Sequence, residues 1–330
     1  MRRSIWAALS TLCLAAATPA HAADPVVLQL KWLTQTQFAG YYVAEAKGLY
    51  REAGLAVTIV PGGPDINPAT VLAGGGADVA VDWMAAALAA RDQGVPLVNI
   101  AQMFQRSGMM LTCRRDSGIR RSADLKRKTL AVWFAGNQYP FLAWMAKLGF
   151  RTEGASADVT VLRQGAGVEL LVDRQAACIS TMSYNEYWQV IDAGLKPSEL
   201  VAFRYEDQGV ATLEDGLYTT AAKLADPAMR DRLARFLRAS VAGWRYALTH
   251  QQEAVGIVLR ANRSAGGLDF SHQRRMLQEV AKLMPGNRHG IGYLEPAAYE
   301  RTVDVLLLGG AEPVIRRRPE GAWMHLIGPD

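Results

Sequence analysis

Four short segments carry the residue types best suited to chemistry. The first runs Lys31-Trp32-Leu33-Thr34-Gln35-Thr36-Gln37-Phe38-Ala39-Gly40-Tyr41-Tyr42 and mixes aromatic rings with amides and hydroxyls. Trp32, Phe38, Tyr41 and Tyr42 are more aromatics than a capped polar turn requires. They suit stacking on a flat ligand, with core packing as the competing use of each ring. In the second, Asp82-Trp83, the aspartate either caps the helix starting at Met84 or accepts a hydrogen bond from a ligand amine. The third is Trp133-Phe134-Ala135-Gly136-Asn137-Gln138-Tyr139. Gly136-Asn137 just ahead of a helix offers backbone N–H groups to an acceptor or anion, unless Asn137 merely caps it. This segment lacks the lysine of a P-loop. The fourth is Met182-Ser183-Tyr184-Asn185-Glu186-Tyr187. Glu186 in a first helical turn suits the helix dipole, but Tyr184, Asn185 and Glu186 together could also hold the polar edge of a planar ring.

Pooled, these segments hold acids (Asp82, Glu186), amides and aromatics, with Lys31 at one edge as their cation. Phosphorylated ligands call for cationic partners. The set therefore points to a neutral or weakly cationic aromatic ring read by amides and carboxylates. No Ser/His/Asp triad, Cys/His pair or acid/base pair can be assigned. The histidines and cysteines show neither HxxxH nor CxxC spacing, so no metal or other cofactor is expected.

The elements that position these segments alternate. Strands are expected at 26–32, 56–60, 79–82, 97–104 and 109–114, with helices at 38–47, 68–73 and 84–93. A second unit repeats the pattern, with strands at 129–134, 159–162, 177–181 and 200–205 and helices at 139–148, 167–174 and 184–193. Helices follow at 227–249, 251–260, 271–283 and 296–308. In the first of these, Leu233, Phe236, Leu237, Val241 and Trp244 fall at helical spacing. Two α/β units with mostly parallel strands and a helical tail suggest two lobes and a cleft. Ligands bind beyond the carboxyl ends of such strands, where all four segments lie.

Composition narrows the class. Of 330 residues, half are hydrophobic and a fifth charged, which excludes a disordered chain. The mean hydropathy, +0.01, argues against a multi-span membrane protein. Met1-Arg2-Arg3-Ser4, an apolar run from Ile5 to Thr18 and Pro19-Ala20-His21-Ala22 read as a signal peptide cleaved after Ala22. Cleavage would lower the formal net charge from +5 to +3, since two arginines leave. The surplus is then assigned to the surface, and nucleic acid is not an expected partner. Arg316-Arg317-Arg318 reads as a solvated basic turn. Cleavage would also leave two cysteines, Cys113 and Cys178, in a compartment that permits pairing; the sequence leaves that pairing open.

Several runs resemble periplasmic solute-binding proteins of ABC importers. They are Lys31-Trp32, Phe38-Ala39-Gly40-Tyr41-Tyr42-Val43-Ala44, Lys47-Gly48-Leu49-Tyr50-Arg51-Glu52-Ala53-Gly54-Leu55, Pro61-Gly62-Gly63 and Gly76-Ala77-Asp78-Val79. The nearer likeness is to the thiamine-pyrimidine-precursor-binding family, which has riboflavin relatives and, further off, sulfonate and nitrate relatives. The resemblance implies an α/β, type II-like fold of two lobes, a cleft and a two-segment hinge. Lobe one would span 23–112 plus 212–330, and lobe two 113–211. Carried over position by position, the ligand residues are Trp32, Tyr41, Tyr42, Gly136, Asn137, Asn185 and Glu186. The cleft argument adds Gln35, Phe38, Asp82, Trp83, Phe134, Tyr139 and Tyr184. The implied protein is a monomeric, non-catalytic receptor that hands a small heterocycle, in the first place a thiamine-related pyrimidine, to an ABC permease. A flavin-like ring or a small anion is the alternative ligand, and for an anion Lys31 and Arg106 would matter. An enzymatic branch of the family uses a Cys-Cys-Cys-Phe-Cys motif, which this chain lacks.

Overall fold

The computed structural model describes residues 22–263, 267–284, 289–308 and 313–328. The proposed signal peptide therefore falls almost wholly outside the described residues.

Among the described residues, ten strands form two five-stranded sheets. They are β1 (Asp24–Gln29), β2 (Leu55–Val60), β3 (Val79–Asp82), β4 (Leu97–Gln102), β5 (Met109–Arg114), β6 (Thr129–Val132), β7 (Thr160–Arg163), β8 (Cys178–Met182), β9 (Leu200–Arg204) and β10 (Gly216–Thr220). The first sheet has the order β2-β1-β3-β10-β4 and the second β7-β6-β8-β5-β9. β3 and β8 are buried at every position. Apart from Asp82 at the end of β3, they read as apolar or small runs because helices cover both faces of each sheet.

The sheets are mixed rather than mostly parallel. β10 runs antiparallel between β3 and β4, and β5 runs antiparallel to both β8 and β9. Both reversals follow from the chain crossing between lobes, once after β4 and once before β10. β10 is the strand that the apolar pattern did not announce, since Gly216-Leu217-Tyr218-Thr219-Thr220 is short and opens on glycine. The crossing points also move a boundary. Met109 to Arg114 pair along their whole length in the second sheet, so lobe two begins before Met109 and not at residue 113.

Glu214 stitches the two crossings together. Its carboxylate accepts from Ser107 Oγ at 2.5 Å and from the backbone N–H groups of Gly108 and Met109 at 3.2 Å. The chain after β10 turns mainly helical. Helix Pro227–Thr249 packs on helix Ala39–Ala46, and helix Gln251–Ala261 and then helix Phe270–Leu283 follow on that side. Close approach of the first two helices requires glycine, because a Cβ on Gly243 would sit 2.2 Å from the Gly40 carbonyl oxygen.

Cys113 and Cys178 are cross-strand partners on β5 and β8 and form a disulfide. Among the described residues, no helix is long and apolar enough to cross a membrane, and no group of histidine, cysteine and carboxylate side chains could hold a metal ion.

Candidate binding site between the lobes

The carboxyl ends of β1, β3, β6 and β8 meet across the two lobes. Lys31, Trp32, Gln35, Gln37 and Trp83 of lobe one face Trp133, Met182, Tyr184 and Glu186 of lobe two around a small cavity. The remaining space is about 10 Å³, roughly what one water molecule needs. Trp32 and Trp133 touch edge to face across it, centroids 5.5 Å apart.

Lys31 lies at the centre of this site and not at its edge. Its side chain is 1% exposed, its Nζ is 2.5 Å from Asp215 Oδ1, and it sits 2.9 Å from the centroid of the Trp83 ring. The strand-end turn buries it because its backbone is held on both sides. Leu30 N–H donates to Val60, Gly62 N–H donates to Trp32, and Thr36 N–H and Oγ1 bond Gln273 of the late helix Phe270–Leu283. Asp215 occupies positive φ (49°) directly ahead of β10, so the missed strand delivers the lysine's partner.

An amide chain joins the lobes. Gln37 Nε2 donates to Asp215 Oδ2 (2.9 Å), and Gln35 Nε2 donates to Gln37 Oε1 (2.6 Å). Asn185 Nδ2 donates to Gln35 Oε1 (3.4 Å) and to Glu186 Oε1 (2.6 Å). Asn185 Oδ1 in turn faces His272 Nε2 at 2.9 Å. Glu186 Oε2 accepts the Met182 backbone N–H at 2.9 Å.

Four buried carboxyls surround the single lysine. Burial pushes Asp82, Glu186 and Glu214 up to about 7 against the pull of Lys31 and of local hydrogen bonds. Burial also raises Asp215, although Lys31 and Gln37 pull it down. Asp82 Oδ2 and Asn137 Oδ1 are among the buried acceptors that have no hydrogen-bond partner among the described residues.

The profile of the family described as NMT1/THI5 like matches residues 35–254. The chain belongs to the NMT1/THI5-like family. It is 26% identical over 310 residues to the riboflavin-binding protein RibY of Chloroflexus aurantiacus, covering 89% of this chain and 84% of that one. In fold it is similar to two solved periplasmic binding proteins. The alkanesulfonate-binding protein SsuA of Xanthomonas axonopodis pv. citri superposes with TM-score 0.65 at 14% identity, covering 93% of this chain and 100% of that one. The aliphatic sulphonate-binding protein SsuA of Escherichia coli gives 0.62 at 13% identity, with 89% and 96% covered. The architecture is thus the two-lobed periplasmic binding protein fold.

Within this NMT1/THI5-like chain, the expected site residues separate into groups. Trp32, Gln35, Trp83, Tyr184 and Glu186 line the cavity. Asn185 bridges to it, and Asp82 lies behind it with Oδ1 accepting the Trp83 N–H. Phe38 and Tyr41 do not line it. Phe38 is fully buried in the lobe-one core, and Tyr41 packs edge-on against Trp244. The Tyr42 hydroxyl bonds Thr34. Phe134 and Tyr139 are half-buried, with burial first and then the Asp82 charge raising the Tyr139 phenol. The amides offered by Gly136-Asn137 are already used, since Gly136 N–H donates to Gln138 and Asn137 N–H to the Phe134 carbonyl. What this turn supplies is contact, as Gly136 lies against Ala86 of lobe one. Arg106 pairs with Glu206 away from the cavity. Gln37, Trp133, Asp215 and His272 went unanticipated. Trp133 alone carried a local signal, as an indole at the end of an apolar strand.

Proposed function

We propose that this chain is the extracytoplasmic solute receptor of an ABC importer. It closes its lobes on a small planar, amine-bearing heterocycle, in the first place a thiamine-related pyrimidine, and delivers it to the membrane permease. One observation carries this reading: four buried carboxyls, one of them with an unpartnered oxygen on Asp82, surround one lysine beside the contact between the Trp32 and Trp133 indoles. Such a site rewards a ring that donates hydrogen bonds or carries positive charge more than it rewards sulfonate or nitrate. The ring would part the two indoles and stack between them.

A receptor is favoured over a synthase because the two cysteines that survive signal cleavage are joined to each other at the end of β8 remote from the cavity. The disulfide also fits an oxidising compartment outside the cytoplasm. A monomer suffices, since one chain supplies both lobes of the site.

Riboflavin is the second reading, supported by the similarity to RibY over 89% of this chain. Calorimetry with the thiamine pyrimidine, riboflavin and an alkanesulfonate separates the readings. The pyrimidine should bind most tightly, and Glu186→Gln should weaken it at least tenfold, while a surface exchange such as Glu153→Gln leaves it unchanged. Tighter binding of the sulfonate would overturn the proposal.

A further inference from the structure

The chain's positive charge is not spread over its surface. Residues 114–128 hold seven arginines and lysines against two aspartates, a surplus equal to the formal net charge of the whole chain. The fold gathers part of this segment around a concave pocket of about 320 Å³, at the end of lobe two where β6 and β8 begin, opposite the cavity between the lobes. Arg114, Arg127, Lys128 and Arg174 line it together with a single carboxylate, Asp116.

The way these cations are held makes the pocket unusual. Asp116 fixes two of them, with Arg114 bound through Nε and Nη2 (3.1 and 3.0 Å) and Arg174 at 2.8 Å. Lys128 Nζ donates to the Ser117 carbonyl at 2.7 Å and has no carboxylate partner among the described residues. The Arg127 guanidinium has neither an ion pair nor a hydrogen bond among them. Four described non-glycine residues have positive φ. Asp215 belongs to the inter-lobe site and Ala135 precedes the Gly136 turn; the other two are Arg127 (64°) and Arg174 (61°). Backbone strain of this kind persists where surrounding structure imposes it, and it concentrates at functional sites.

We infer that this pocket binds a phosphate-bearing ligand carrying two or more negative charges, at a site separate from the inter-lobe cavity. Three guanidinium forks and an ammonium match phosphate oxygens better than they match one another. The volume suits a phosphorylated small molecule or a phospholipid headgroup. The pocket is lined by four cations and one carboxylate, while the inter-lobe cavity sets four carboxyls around one lysine, so the two sites call for different ligand chemistry.

Inorganic pyrophosphate is the probe. Titrated calorimetrically into the purified protein at low salt, it should bind with a stoichiometry of one and weaken as salt rises. Arg127→Gly and Arg174→Gly should each weaken it tenfold or more while raising the melting temperature, because glycine relieves the positive φ. A purely structural role for these arginines predicts the opposite stability change. Affinity for the inter-lobe ligand should stay unchanged in both variants. Sedimentation with phosphatidylglycerol but not phosphatidylcholine vesicles, reversed by pyrophosphate, would assign a lipid headgroup; pyrophosphate binding without sedimentation would assign a soluble phosphate ester. Absence of pyrophosphate binding, or equal affinity in Arg127→Gly, overturns the inference.

Discussion

The Trp32 indole of lobe one meets the Trp133 indole of lobe two edge to face, with planes 66° apart. The two rings close the cavity, and the same faces are what a planar ligand would use. The Trp32–Trp133 contact and a planar ligand therefore compete for one pair of surfaces. Removing Trp133 takes away one wall of the stack. Trp133→Ala should weaken the pyrimidine by about tenfold to a hundredfold, within the ~1–3 kcal/mol typical of base–aromatic stacking. Titration calorimetry measures it. Unchanged affinity would show that the ring binds elsewhere.

The buried acids set a pH dependence with a definite sign. Asp82, Glu186 and Glu214 are held up near 7 by burial, against about 4 in an unfolded chain. Between these values the folded protein binds more protons than the unfolded one, so this contribution to stability is full below about pH 4 and is lost as the pH rises through about 7. Ligand-free protein should melt at a lower temperature at pH 8 than at pH 5, and Glu214→Gln should flatten the difference. Asp116, drawn down to about 2 mainly by Arg114, acts at the acid end and does not interfere. A melting temperature rising from pH 5 to pH 8 would contradict the assignment.

How much of this was legible beforehand depends on what a local pattern can carry. Helix Pro227–Thr249 was readable because Leu233, Phe236, Leu237, Val241 and Trp244 repeat at helical spacing and Asp226 and Pro227 mark its start. The cavity-facing turns were readable because strand ends in α/β sheets collect ligands. Which aromatic faces the cavity was not readable, since Phe38, Tyr41 and Trp32 share one turn and differ only in side-chain direction. Asp215 and His272 were invisible for another reason. Each reaches its partner from far along the chain, Lys31 and Asn185 respectively, and each depends on the chain crossing back into lobe one.

Lys31 and Asp215 form a buried pair, with side chains 1% and 3% exposed. Removing one partner leaves an uncompensated charge, while removing both leaves little penalty. Asp215→Asn, which tolerates the positive φ, should cost about 3–5 kcal/mol in urea unfolding. The Lys31→Met, Asp215→Asn double variant should recover most of it. If the double variant is as unstable as the sum of the single changes, the pairing is not what holds the two residues there.

The disulfide should support lobe two without touching ligand recognition. Cys178 opens β8, and Met182, which lines the cavity, closes it. Reduction, or Cys113→Ala with Cys178→Ala, should cost about 2–4 kcal/mol of unfolding free energy and leave ligand affinity within twofold. A large affinity loss in folded protein would instead tie the β5–β8 pairing to the binding geometry.

Gly136 tests whether the closed arrangement is the binding form. It has φ of 105°, and a Cβ placed there would come within 2.4 Å of Ala86 Cβ on the other lobe. Gly136→Ala thus adds two separate effects: backbone strain, and a methyl wedge between the lobes. Gly149→Ala isolates the first, because Gly149 also has positive φ (72°) but open space around its Cβ position. Both variants should lose about 1 kcal/mol of stability from the backbone. Only Gly136→Ala should enlarge the radius of gyration in small-angle scattering and weaken the ligand tenfold or more. Equal ligand affinity in the two variants would mean that the ligand is held without the Gly136–Ala86 contact, and the lobes would then bind it in a more open arrangement.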